Sequence, residues 1–127
     1  MLKVLKLDHN AFGTEGLQIL TENLAKNSEL VLLSMAFCNI DKVGADCLFE
    51  ILIYQNSKLQ ELNISGNPLE NEGSIKVFQG LAAAKTLESI VMCDCQFDES
   101  EEVMDALKFT MDKNKALKKY DLKHNAL

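Results

Sequence analysis

The segment LQELNISGNPL, residues 59–69, has apolar residues at its first, fourth, sixth and eleventh places and Asn67 at its ninth. Stepping outward along the chain, the same spacing returns four more times. It is found in LKVLKLDHNAF (2–12), LVLLSMAFCNI (30–40), LESIVMCDCQF (87–97) and LKKYDLKHNAL (117–127), at offsets of 28, 29, 28 and 30 residues. The first place is Leu in all five lines. The fourth is Leu5, Leu33, Leu62, Ile90 and Tyr120. The sixth is Leu7, Met35, Ile64, Met92 and Leu122. The eleventh is Phe12, Ile40, Leu69, Phe97 and Leu127. With 47% apolar residues, filling twenty such slots by chance is roughly a one-in-a-few-million event before discounting for the choice of register. An internal repeat therefore governs the fold.

Within each line the period changes. The first half alternates in the manner of a short strand. The second half follows i, i+3, i+7 spacing, the mark of a helix face. These faces are Leu17, Leu20 and Leu24; Ala45, Leu48 and Leu52; Ser74, Val77 and Leu81; and, in the longest line, Val103, Ala106, Leu107, Thr110 and Met111. Gly16, Gly44 and Gly73 share one column near the helix starts, where a missing side chain is expected to let helix and strand approach closely. Glu101 breaks that column. Predicted strands span 3–7, 31–35, 60–64, 88–92 and 118–122. Neither strand nor helix can bury its apolar face alone, so the lines must stack into one continuous core.

The ninth column reads Asn10, Cys38, Asn67, Cys95 and Asn125. Together with the apolar columns it resembles the leucine-rich repeat, L-x-x-L-x-L-x-x-N/C-x-L. Repeats of 28–29 residues with a helical second half and alternating Asn and Cys are similar to the ribonuclease-inhibitor-like subclass. The resemblance covers essentially the whole chain. It implies an α/β, right-handed solenoid with parallel strands on the concave face and helices on the convex face. The repeats start at Leu2, Leu30, Leu59 and Leu87, with a partial repeat from Leu117, in one domain over residues 1–127. It also implies a structural ladder of Asn10, Cys38, Asn67, Cys95 and Asn125, with Cys38 and Cys95 buried where they tie the loop after the strand. Solenoids carry polar capping repeats. Leu2 opens directly on a strand and Leu127 ends the fifth line before its helix, so the chain reads as part of a longer protein, with neighbouring repeats or subunits at both ends.

Composition bounds the function. Nineteen acids against thirteen bases give a net charge of −6, which argues against nucleic acid or an anionic membrane as the main partner. All bases are Lys, so no arginine finger is available. No apolar run approaches the ~20 residues of a membrane span, and the N-terminus lacks a signal-peptide core. These features point to an intracellular, cytoplasmic protein, with the cytoskeleton or cilium as specific settings.

No catalytic set, metal site or cofactor site is expected. Cys38 and Cys95 stand two repeats apart, about 10 Å at ~4.8 Å per strand and beyond disulfide reach. Cys47 falls on a helix, and Cys93 lies too close to Cys95 for an easy bridge. C-x-C alone lacks the ligand pairs of a zinc site, so all four thiols are read as reduced. His9 and His124 share a column four repeats apart and cannot share a metal ion; both read as solvated rim residues. The run Asp98 to Glu102, with Asp105 beyond, opens a helix whose far end carries Lys113 and Lys115, which suits the helix dipole. The spacing of a calcium loop is absent. Gly13 and Gly16 are turn residues without a phosphate-loop G-K-[ST], and Pro68 is turn chemistry.

The strand face is the remaining candidate. Its third and fifth columns should point outward, away from the core. The partner-binding set expected there is Val4, Lys6, Leu32, Ser34, Ala36, Phe37, Glu61, Asn63, Val91 and Asp94. Phe37 leads it, because a large aromatic has no ladder explanation in a column otherwise holding His9, Gly66, Asp94 and His124. The function implied is a non-catalytic scaffold that binds a protein partner through the concave face or rim. The resemblance also admits a regulator like the Ran GTPase activator, working without an arginine finger, and a cytoskeletal or axonemal repeat subunit such as the tropomodulin-like proteins.

Overall fold

A computed structural model describes residues 2–24 and 29–127. Five three-residue strands alternate with four helices: β1 (Val4–Lys6), α1 (Gly13–Leu24), β2 (Leu32–Ser34), α2 (Ala45–Ile53), β3 (Glu61–Asn63), α3 (Glu70–Ala83), β4 (Ser89–Val91), α4 (Glu101–Lys113) and β5 (Lys119–Asp121). The strands form one parallel sheet in chain order, β1 to β5. Its register joins Val4, Leu32, Glu61, Ser89 and Lys119, so the repeat offsets read from the sequence are the sheet's own spacing. Each helix packs on the next, forming a second layer against the sheet. The architecture is that of a leucine-rich-repeat solenoid.

The core lies between the layers and is built by the predicted columns. Leu33, Leu62 and Ile90 of the fourth column, Met35, Ile64 and Met92 of the sixth, and Ile40, Leu69 and Phe97 of the eleventh are almost fully buried. Phe78 of α3 meets Phe97 edge-on, with ring centroids 5.6 Å apart. The outermost members are covered on one side only. Leu5, Phe12, Tyr120 and Leu122 are partly buried, while Leu2 and Leu127 are exposed.

Two expectations about the helices need correction. Met111 was assigned to the buried face of α4 but is 41% exposed. Val103 and Thr110 hold that face instead, and the Thr110 hydroxyl donates to the Phe78 carbonyl at 2.7 Å. The glycine column does not serve contact with the strand. A Cβ on Gly44 would come within 2.8 Å of Ile40 and 3.0 Å of Thr14, and one on Gly73 within 3.0 Å of Lys42. Gly16, Gly44 and Gly73 therefore let α1, α2 and α3 open closely against their own eleventh-column side chains, and α2 and α3 also against Thr14 and Lys42 of the repeat before.

Candidate functional site

The turn after each strand sets the edge of the strand face. Its eighth-column residue has positive φ in all five repeats: His9, Phe37, Gly66, Asp94 and His124. Beyond that point the repeats alternate. Those with Cys at the ninth place have a second positive-φ residue at the tenth, Asn39 or Gln96, whereas Gly13 and Glu70 take it at the twelfth in the Asn repeats. The structural unit is thus a pair of repeats.

Side chains explain this pairing. Asn67 is fully buried. Its Oδ1 accepts from the backbone N–H groups of Cys38 and Ile40, each at 3.0 Å, and its Nδ2 donates to the carbonyls of Met35 and Ile64. Asn125 accepts from the Cys95 N–H at 2.8 Å and donates to Met92 and Leu122. Each of these Asn residues closes the turn of the Cys repeat before it, satisfying backbone groups that water cannot reach. The cysteines do less: Cys38 Sγ donates to the Leu7 carbonyl and Cys95 Sγ to that of Ile64. Among the described residues, the side chain of Asn10, at the exposed end, bonds within its own turn, donating to the carbonyls of Leu7 and Asp8. Both ladder cysteines are fully buried, and burial pushes the Cys95 thiol up to about 12.

The strand face itself is partly closed. Ser34 and Ala36, both assigned to the outward contact set, are buried. The carboxylate of Asp8 in the preceding repeat reaches over them, accepting from the Ser34 hydroxyl at 2.7 Å and the Ala36 N–H at 2.8 Å. Neighbouring strands so close together leave little room around a small side chain, and a cross-repeat hydrogen bond covers what remains. The same device recurs downstream. Ser65 Oγ accepts from the Cys93 N–H, and Cys93 Sγ donates to Asp121 at 3.3 Å. That bond is the first cause holding the Asp121 carboxyl below its usual value; burial first, then Asp121, raises the Cys93 thiol.

Phe37 also differs from expectation. Its ring stacks on His9, centroids 4.9 Å apart and planes within 3°. On the side of the next repeat it lies over Gly66, where a Cβ would run into the ring. The column does explain the aromatic: Phe37 is packed between the residues at its own place in the repeats on either side. It remains 46% exposed. Val4, 51% exposed, pairs with half-buried Leu32 across β1 and β2. Lys6, Glu61 and Asp94 are exposed, and Asn63 and Val91 are half-buried. His9 and His124 are both exposed at the edge, at opposite ends of the sheet.

The acidic run opens α4, with Glu101 and Glu102 in its first turn and Lys113 in its last. Asp98 is tied down. Its Oδ1 accepts from the Ser100 N–H and from Asn71 Nδ2, and its own N–H donates back to Asn71. Asp41 does the same one repeat pair earlier, accepting from Thr14, Val43 and Gly44. Sequence reasoning placed Asp98 only in the acidic run that opens α4 and did not single out Asp41; the signal for their shared role was an Asp at the same twelfth place in both Cys repeats. Among the described residues, no cluster of three or more metal-ligating side chains occurs, and no helix is long and apolar enough to cross a membrane.

Comparison with known proteins agrees with this geometry. A leucine-rich repeat family profile matches residues 1–20 and 55–77. The chain is 30% identical to NACHT, LRR and PYD domains-containing protein 12 of Mus musculus, covering 97% of this chain and 12% of that protein. It is also 30% identical to the ribonuclease inhibitor of Sus scrofa, over 99% of this chain and 27% of the relative. It therefore spans only about a tenth to a quarter of these relatives' lengths. The tropomodulin C-terminal domain of Caenorhabditis elegans superposes with a TM-score of 0.79, at 17% identity, over 95% of this chain and 73% of that one, a likeness of fold.

Proposed function

Because the chain belongs to the leucine-rich repeat proteins, with repeats of the ribonuclease-inhibitor-like type, we propose that it is a non-catalytic scaffold that binds a protein partner on its strand face and the adjoining rim. Leucine-rich repeat proteins as a class mediate protein–protein interaction, and the name of the Sus scrofa relative describes an inhibitor of an enzyme. The observation that carries the proposal is one apolar group spanning two repeats. Val4, exposed, and Leu32, half-buried, stand side by side on β1 and β2, and the half-exposed ring of Phe37 lies five residues further along at the rim end of the same face. Lys6 on β1 and Glu61 and Asn63 on β3 border it, and Val91 and Asp94 continue the face on the fourth repeat, a mixed polar and apolar setting of the kind found at interface rims. Ser34 and Ala36 have no part in it, being sealed by Asp8. The four free thiols fit work in a reducing, cytoplasmic compartment.

Val4→Asp and Leu32→Asp test the surface most cleanly, since neither residue is core. Partners isolated with the unaltered chain should lose affinity by ~2 kcal/mol or more, the hot-spot scale, while the melting temperature stays within about a degree or two. Phe37→Ala is a poorer probe, because it also removes the stack on His9. Unchanged affinity in both Asp variants would move the contact off the strand face.

A further inference from the structure

We propose that the cleft between α1 and α2, on the helical side of the solenoid, is a binding site for a small amphiphile carrying a protonated amine. The cleft encloses about 590 Å³, within the range of small-molecule sites. Leu30, Ile51, Tyr54 and Leu59 give it apolar walls, and Glu22, Asp46 and Glu50 stand along it as three carboxylates. Lys58 is the one cation among the described lining residues, and it is spent on Glu29 at 3.0 Å. Asp46, itself exposed, has half-buried Lys76 at 3.9 Å, whose ammonium also sits 4.3 Å over the Phe49 ring. Glu22 and Glu50 form no ion pair among the described residues.

The other helix pairs show why this gap is unusual. Gly80 lets α3 close onto Phe49 and Leu52 of α2. Thr110 and Asn114 bind α4 and its end directly to carbonyls of Phe78 and Leu81, each at 2.7 Å. Where α1 faces α2, Gly44 brings the start of α2 close to Thr14 at the first turn of α1, but further along the pair no described glycine does the same, and like charges, Glu22 against Asp46 and Glu50, line the two sides. Closing the gap would crowd those carboxylates together; a cation between them would relieve the repulsion while its apolar part covers the walls. Buried Cys47 and Thr21 also line the cleft and offer local reporters. The site lies on the layer opposite the strand face, so its fate is independent of the partner surface proposed above.

Octylammonium, octanoate and octan-1-ol, titrated separately at neutral pH into the ¹⁵N-labelled chain, share one tail and differ in head charge. Octylammonium should shift the amides of Thr21, Cys47 and Tyr54 saturably, and slow maleimide labelling of Cys47. Glu22→Gln combined with Glu50→Gln, both exposed positions, should weaken that binding roughly five- to tenfold. Ile51→Trp should block it by filling the cleft. Equal binding of all three probes, or affinity indifferent to the Gln pair, would overturn the charge argument. Shifts of the same amides on concentrating the chain alone would show a second copy in the cleft. Saturation by a basic amphipathic peptide, but not by octylammonium, would assign the cleft to a protein helix. Either result overturns the proposal.

Discussion

Asn67 makes four good hydrogen bonds inside the core, two as acceptor and two as donor, and no apolar residue of similar size replaces them. Asn67→Ala orphans the Cys38 and Ile40 amides and the Met35 and Ile64 carbonyls together. Each unsatisfied buried group costs about 1–3 kcal/mol, so denaturant unfolding should show a loss of at least ~3 kcal/mol, if the variant folds at all. Ser74 is the opposite case. Its hydroxyl is buried without a partner among the described residues, at the place where the two preceding repeats hold Leu17 and Ala45. Ser74→Ala should therefore stabilise by about 1 kcal/mol, read as a rise in the unfolding midpoint at unchanged m-value. The ladder asparagines were legible in the sequence because their column is fixed. The burial of Ser34 and Ala36 was not, because Asp8, 26 and 28 residues earlier, reaches them only once two strands are side by side. Phe37 could have been read from its column: a large ring beside a glycine at the same place one repeat later is the sequence sign of a ring resting on backbone.

At the scale of elements, α2 and α4 start without a side-chain cap bond from their N-cap residues, and the carboxylates of Asp41 and Asp98 organise the turns that lead into them. The Thr14 hydroxyl first of all holds the Asp41 carboxyl below its ordinary 3.8, and the Ser100 N–H does so for Asp98. A depressed carboxylate contributes stability that is present above its unfolded value and lost as pH falls through its folded one. Melting temperatures should accordingly hold from neutral pH to about 4 and then fall. Asp41→Asn with Asp98→Asn keeps an acceptor in each turn but removes the charge, so the double variant should lose less on acidification than the unaltered chain. Equal acid sensitivity would mean that other groups, such as Asp121, dominate. Strand positions were legible to within a residue because the period-two pattern and the repeat length together fix the register. The cleft between α1 and α2 was not, because a repeat consensus describes what stacks and says nothing about pairs that stay apart. Its trace in the sequence is only Glu22 set against Asp46 and Glu50 on successive helices.

For the whole molecule, stacked repeats make stability a sum of local terms and nearest-neighbour interfaces. Central repeats have two neighbours and outer ones have one, and the structure shows the consequence at equivalent places. Leu33 is fully buried and Leu5 only partly; Met92 is fully buried and Leu122 only partly. Among the described residues, strands β1 and β5 each have a partner strand on one side only. Removing side chains at matched columns should thus give unequal results. Leu33→Ala should cost about 2–5 kcal/mol and lower protection throughout the chain, because it uncouples the repeats on both sides. Leu5→Ala should cost less and be felt mainly in β1 and α1. In the unaltered chain, amide exchange should be slowest in β3 and the buried face of α3 and fastest in the outermost repeats. A dilution series separates this gradient from association. If protection at β1 and β5 rises with concentration, a second copy is covering the open ends. If protection is uniform along a monomer, the stack unfolds as one cooperative body and the nearest-neighbour account of its stability fails.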